Sequence, residues 1–177
     1  MKRNSLLLSL FSLVLITLAS CSKDDDDNIN TNVPNATDNN FMAWAAHYHL
    51  SEAELGELAL TSSANDSVKM FAQMMVTDHN AWINSLDSAA VLYSFQFPDA
   101  PDSARAAFKV QLSGLVGYDF DTAYINSRVR DHQWAAQLYQ NVINNGNAAS
   151  VKAHATRILP AIQLHQQRAD SIAAFIQ

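Results

Sequence analysis

The sequence predicts an all-α protein: an antiparallel four-helix bundle with an extra short helix in the crossover between its second and third long helices. Three observations predict this. From Phe41 onward, apolar residues recur at spacings of three and four, the period of a helix with one buried face. Four glycines and four prolines among 177 residues leave long segments unbroken, and Pro98, Pro101, Gly117 and Gly146 fall where the periodic segments meet. No stretch shows the alternation expected of a strand. A hydrophobic fraction of 49% suits one compact domain with a substantial core.

The chain opens with residues that are not fold material. Residues 1–20 have a basic start in Lys2 and Arg3, an apolar run from Leu6 to Leu18 and small residues after it, which is the pattern of a signal peptide. Leu18-Ala19-Ser20-Cys21 resembles the lipobox of bacterial lipoproteins, so Cys21 is the expected lipidation site. Acyl chains contribute about 0.8 kcal/mol per buried methylene, enough for a multiply acylated cysteine to anchor a chain that does not span the bilayer. Residues 21–37 follow as a tether. The run Ser22-Lys23-Asp24-Asp25-Asp26-Asp27 looks like the acidic tag of surface-displayed lipoproteins or is simply solvated, and the Asn- and Thr-rich continuation is a flexible linker. The expected location is the outer membrane, facing either the periplasm or the exterior.

The folded domain is expected over residues 38–177. Helix A runs from about Asn39 to Thr61. Asn65 or Asp66 caps helix B, which carries Val68, Phe71, Ala72, Met75, Trp82 and Leu86 inward. After Pro98 and Pro101, a short helix spans about Asp102 to Leu115. Asp119 or Asp121 opens helix C, with Ile125, Val129, Ala136, Tyr139 and Ile143 on one stripe, and Gly146 ends it. Helix D starts near Asn147 and passes Pro160, where a bend is expected.

Charge narrows the partners. The net charge is −6, and removing Lys2 and Arg3 with the leader leaves nine basic against seventeen acidic residues, about −8. Such a surface excludes nucleic acid as a partner. It leaves the membrane, reached through Cys21, and an envelope protein as candidates. A single cysteine excludes an internal disulfide framework.

Chemistry is expected where polar residues interrupt the apolar seams. His79 lies between Met75 and Trp82, His132 between Val129 and Ala136, and His165 between Ile162 and Ala169. Glu54 occupies a comparable seam between Leu50 and Leu58, although Ser51-Glu52-Ala53-Glu54 also reads as a capping box if helix A breaks near Leu50. Imidazole and carboxylate together suit one transition-metal ion, with Glu54, His79, His132 and His165 as ligands and Asp78 and Asp131 supporting them from neighbouring turns. The same groups also read as a hydrogen-bonded network that sets helix register in a structural or interaction module. A redox metal with an open position would add activity on peroxide or a small oxidisable substrate. A ferritin-type di-iron centre is excluded, because Val76 and Ile162 stand where glutamates should precede His79 and His165. His47, His49 and His154 are expected at the surface or rim, Met70, Met74 and Met75 as core filler, and Trp44, Trp82 and Trp134 in the bundle. No nucleophile motif or phosphate loop is present.

Several of these residues also carry a family resemblance. Glu54-Leu55-Gly56-Glu57-Leu58-Ala59, Val68-Lys69 with Phe71-Ala72, Met75 and Asp78-His79, Phe120-Asp121 with Tyr124-Ile125, Asp131-His132, and Leu159-Pro160 with Ile162 and His165 form a set spread over about Asp38 to Ala173. The set resembles a family of ferritin-like exported bacterial domains of unknown function, commonly labelled predicted outer-membrane proteins. The resemblance implies a ferritin-like four-helix fold and an envelope location, and it supplies no activity. The family's recurring positions fall here on Glu54, Asp78, His79, Asp131, His132 and His165.

Overall fold

The computed structural model describes residues 32–176; the expected signal peptide, Cys21 and the acidic run after it lie outside the described residues. Four long helices, α1 (Ala36–Ser62), α2 (Asp66–Ala90), α4 (Gly117–Asn145) and α5 (Ala149–Phe175), are joined by a 3-10 turn at Val91–Tyr93 and the short α3 (Ser103–Ser113). No strand occurs among the described residues. The predicted all-α bundle with its extra crossover helix is therefore the observed fold.

The topology explains the crossover. α1 packs on α2 and α4, and α5 packs on the same two helices, so α1 and α5 face each other diagonally. The start of α1 meets the end of α4, where the Asn35 side chain donates to the Asn145 carbonyl at 2.8 Å. The end of α2 meets the start of α5, where the Ser150 hydroxyl donates to the Ala89 carbonyl. Neighbouring helices are thus antiparallel, while α2 and α4 lie on the other diagonal and run parallel. A parallel pair needs a connection as long as the bundle, which residues 91–116 supply.

Helix ends follow local chemistry, with two departures from expectation. α1 starts at Ala36 rather than near Asn39, because Asn35 caps it and forms a reciprocal capping box with Asp38. α4 starts at Gly117, so Asp119 lies in its first turn and neither Asp119 nor Asp121 is the cap; a first-turn carboxylate instead meets the positive end of the helix dipole. α5 has no side-chain cap of its own, yet buried Asp38 accepts from the amides of Asn147 and Ala148 at 2.8 and 3.2 Å. One carboxylate therefore closes two helix starts that are distant in sequence. α5 continues through Pro160 as a single helix.

The apolar core is in two parts. One cluster contains Phe41, Tyr48, Trp82, Leu86, Tyr139, Val142, Val151 and Ile158. The other contains Leu55, Phe71, Met75, Phe120, Tyr124, Ile125 and Ala169. Between them each long helix breaks its apolar stripe with buried polar groups: His49 and Glu52 on α1, His79 on α2, Arg128 and His132 on α4, His165 on α5. Burial without partners would cost several kcal/mol for each group, so this layer must be satisfied by bonds or by a ligand.

Candidate functional site

His79, His132 and His165 are buried at this layer, and one nitrogen from each lies within 4.8 Å of the others. Their ring centroids form a near-equilateral triangle with sides of 5.6, 5.7 and 5.4 Å. Three of the four residues expected to converge therefore do so. Aromatic rings wall the triangle: Trp82 stacks on His165 at 5.0 Å, and Tyr48 sets its edge against His79 and His132.

Each ring has one nitrogen held by the protein. His132 Nδ1 donates to the Arg128 carbonyl at 2.9 Å, and His165 Nε2 donates to the Asp78 carboxylate at 2.9 Å. His79 Nδ1 lies 2.9 Å from His49 Nδ1, whose other nitrogen lies 2.6 Å from the Tyr139 hydroxyl. The remaining nitrogens, His79 Nε2, His132 Nε2 and His165 Nδ1, have no hydrogen-bond partner among the described residues. Buried polar atoms are rarely left so, and these three belong to the three rings that come together here.

Burial keeps these rings neutral at pH 7. It lowers His79 and His49 well below the usual histidine value, with the neighbouring histidines adding to the effect. His132 falls to about 3 through burial and the nearby Arg128. His165 falls to about 4 through burial and His132, against the opposing pull of Asp78. Neutral imidazole is the form that coordinates a cation.

Two of the expected acids take other places: Glu54, expected as a ligand, and Asp131, expected as a support. Glu54 is not in the layer: it is half-exposed and accepts from Lys109 of α3 at 2.8 Å. At this layer the inward acid of α1 is Glu52, buried and paired with Arg128. Asp131 binds Arg128 at 2.8 Å rather than a histidine. Only Asp78 has the expected bond to a ring. His49 and His154, expected near the surface, are buried, and His154 bonds Ser85 across the α2–α5 contact at 3.2 Å. Trp44, expected inside, is 44% exposed and lies edge-on to Trp134.

The missed residues had a signal. Met42, Ala45, His49, Glu52, Gly56 and Ala59 alternate spacings of three and four, and all six are buried. That stripe places His49 and Glu52 inward together. It competed with the Leu50, Glu54 and Leu58 stripe, whose members are only partly buried.

Comparison with known proteins agrees with the fold and leaves the chemistry to the site. A DUF305 protein from Streptomyces coelicolor is similar in structure with a TM-score of 0.68 at 12% identity, over 79% of this chain and 92% of that one. A DUF305 fragment from Deinococcus radiodurans is similar with a TM-score of 0.69 at 15% identity, over 80% of this chain and 98% of that one. At such identities the likeness concerns the helical fold alone. No curated protein matches the chain. The family described as Domain of unknown function (DUF4142) matches residues 26–172, most of the length, and the chain belongs to that family.

Proposed function

We propose that this protein is a lipid-anchored envelope protein whose bundle holds one transition-metal ion between His79, His132 and His165. The observation that carries the reading is that three converging, buried imidazoles each keep one nitrogen unpaired while the other is engaged. A network built only to set helix register would pair these atoms with one another. Outer-nitrogen bonds to a carboxylate and to a carbonyl, as His165 and His132 make here, are those that orient metal-bound histidines.

Imidazole ligands suit zinc, copper, iron or nickel. Metal–nitrogen bonds of about 2.0–2.1 Å put three tetrahedral ligands about 3.4 Å apart, so the ring nitrogens, now within 4.8 Å of one another, would draw closer on binding. Three protein ligands leave a coordination position for water or a small molecule, as in catalytic rather than closed structural sites. Asp78, 37% exposed, lines a groove of about 730 Å³ between α2 and α5 with Met70, Met74 and Arg168, so the carboxylate that holds His165 Nε2 is itself reached from solvent.

The anchor is part of the proposal. Lipid on Cys21 would hold the bundle at the outer membrane, and among the described residues no helix is long and apolar enough to cross a bilayer. Metabolic labelling with a fatty acid, beside Cys21→Ser, tests it; label retained by the variant would discard the anchor.

Metal is tested by elemental mass spectrometry on full-length protein purified under metal-sparing conditions, then reloaded with zinc, iron, copper or manganese. About one ion per chain, lost in a folded His79→Gln/His132→Gln/His165→Gln variant, is expected. No ion in the parent after reloading would reject the reading and return the layer to a purely structural role.

A further inference from the structure

The three ring nitrogens engaged by the protein, here called the outer ones, are held in unlike ways. The partner of His132 is a carbonyl and that of His165 is a carboxylate, both of which only accept. Those two rings must therefore carry their hydrogen on the outer nitrogen and turn a lone pair inward. The partner of His79 is the imidazole of His49, which either donates or accepts. Both rings are buried, and their hydrogen bonds among the described residues run to each other and to Tyr139, with no carboxylate among them.

Two neutral arrangements of the Tyr139, His49 and His79 chain follow. In one, the Tyr139 hydroxyl donates to His49 Nε2, His49 Nδ1 donates to His79 Nδ1, and the His79 hydrogen sits on Nε2, pointing into the triangle. In the other, His79 Nδ1 donates to His49 Nδ1, His49 Nε2 donates to the Tyr139 oxygen, and His79 Nε2 offers a lone pair inward. Without a cation the first is favoured, because the inward hydrogen then faces the lone pairs of His132 Nε2 and His165 Nδ1; in the second, three lone pairs face one another. With a cation only the second is competent, since a protonated nitrogen does not coordinate.

We propose that the Tyr139–His49–His79 chain is a tautomer switch, in which cation binding at the triangle reverses both hydrogen bonds and His49 is the positioning residue that turns His79 into a ligand. Each arrangement holds one hydrogen on the hydroxyl, one on His49 and one on His79. In the reversal the Tyr139 and His49 hydrogens each shift one place along the chain, His79 Nε2 gives its proton to water and the Tyr139 oxygen takes one back from water, so the net release is zero. The inference rests on the metal reading and assigns the means by which the third ligand is prepared.

The test uses full-length protein in detergent, labelled with nitrogen-15 in histidine, and zinc as a diamagnetic probe. Long-range nitrogen–proton spectra should show His49 protonated on Nδ1 without zinc and on Nε2 with it, and His79 changing in the opposite sense. In parallel, His49→Leu should weaken zinc binding about 10–100-fold, the usual effect of losing a ligand's outer partner. His49→Gln should recover most of that loss, because its amide oxygen accepts from His79 Nδ1. Zinc binding with unchanged His49 and His79 tautomers, or a folded His49→Leu protein that binds as tightly as the parent, overturns the switch and leaves the metal site standing. A parent that binds no zinc removes the site and the switch together.

Discussion

Glu52 on α1 and Arg128 on α4 form an ion pair in the middle of the bundle, with side chains 1% and 0% exposed. Burial works against the charge on Arg128, and the carboxylates of Glu52 and Asp131 overcome it, so the guanidinium is held charged. Ser127 and Asp131 take further hydrogen bonds from it. Removing one partner of such a pair strands a buried charge, at a cost of about 3–5 kcal/mol, whereas removing both costs far less. Arg128→Met should therefore lower the unfolding free energy by roughly that amount in urea denaturation. Glu52→Leu/Arg128→Met should recover most of it. A double variant as weak as the single one would show that the pair acts through packing rather than charge.

Acid should weaken the fold through its buried histidines. Burial pushes His154 down to about 4, with Arg157 adding to it, and His132 lies at about 3. Below the unfolded value of about 6.5, the unfolded chain takes up protons that the native state refuses. The stability these rings provide is thus complete above about pH 6.5 and is lost as pH falls toward their folded values. Each ring contributes a slope of about 1.4 kcal/mol per pH unit within that window. Denaturation midpoints measured from pH 7 to 4 should fall steadily, and His154→Gln should flatten the fall by one proton. A profile unchanged by His154→Gln would mean that His154 charges freely in the native state.

The fold was legible because one apolar stripe dominates α2, α4 and α5. His79, His132 and His165 interrupt those stripes, and the structure gathers the three of them together. α1 differs. It packs on α2, α3 and α4, so apolar residues cover much of its circumference and two stripes compete for the inward face. Choosing the Leu50 and Leu58 stripe placed Glu54 inside, whereas α3 covers that side and supplies Lys109 to bind it. The tertiary position of a crossover helix decides this, and periodicity along α1 carries no record of it. His154 was misplaced for a related reason: Ser85 and the ring of Phe41, both remote in sequence, bury it.

Gly56 lets α1 and α2 approach closely. A Cβ at this position would lie 2.9 Å from the Ala72 carbonyl oxygen and 2.9 Å from Val76 Cγ2, and the first is backbone that cannot rotate away. Overpacking of this kind costs about 1–3 kcal/mol, against a helix-propensity gain of about 1 kcal/mol from replacing glycine. Gly56→Ala should be destabilising by thermal and urea melts. A more stable variant would show that the α1–α2 contact yields easily.

Asp78 separates the ligand reading from a simple polar network. Its carboxylate accepts from His165 Nε2 and so keeps the inward Nδ1 free, yet it is partly exposed and contributes little to burial. Zinc should raise the melting temperature of the parent, by about 2.7 kcal/mol of stability at a hundredfold excess over Kd, and a chelator should reverse the gain. Asp78→Ala should weaken zinc binding about 10–100-fold in calorimetric titration while changing the metal-free melt little. Asp131→Asn provides the contrast, because Asp131 contacts Arg128 and no histidine ring. Its zinc affinity should stay near that of the parent. Equal losses in both variants would mean that charge near the layer, rather than the Asp78 bond to His165, governs binding.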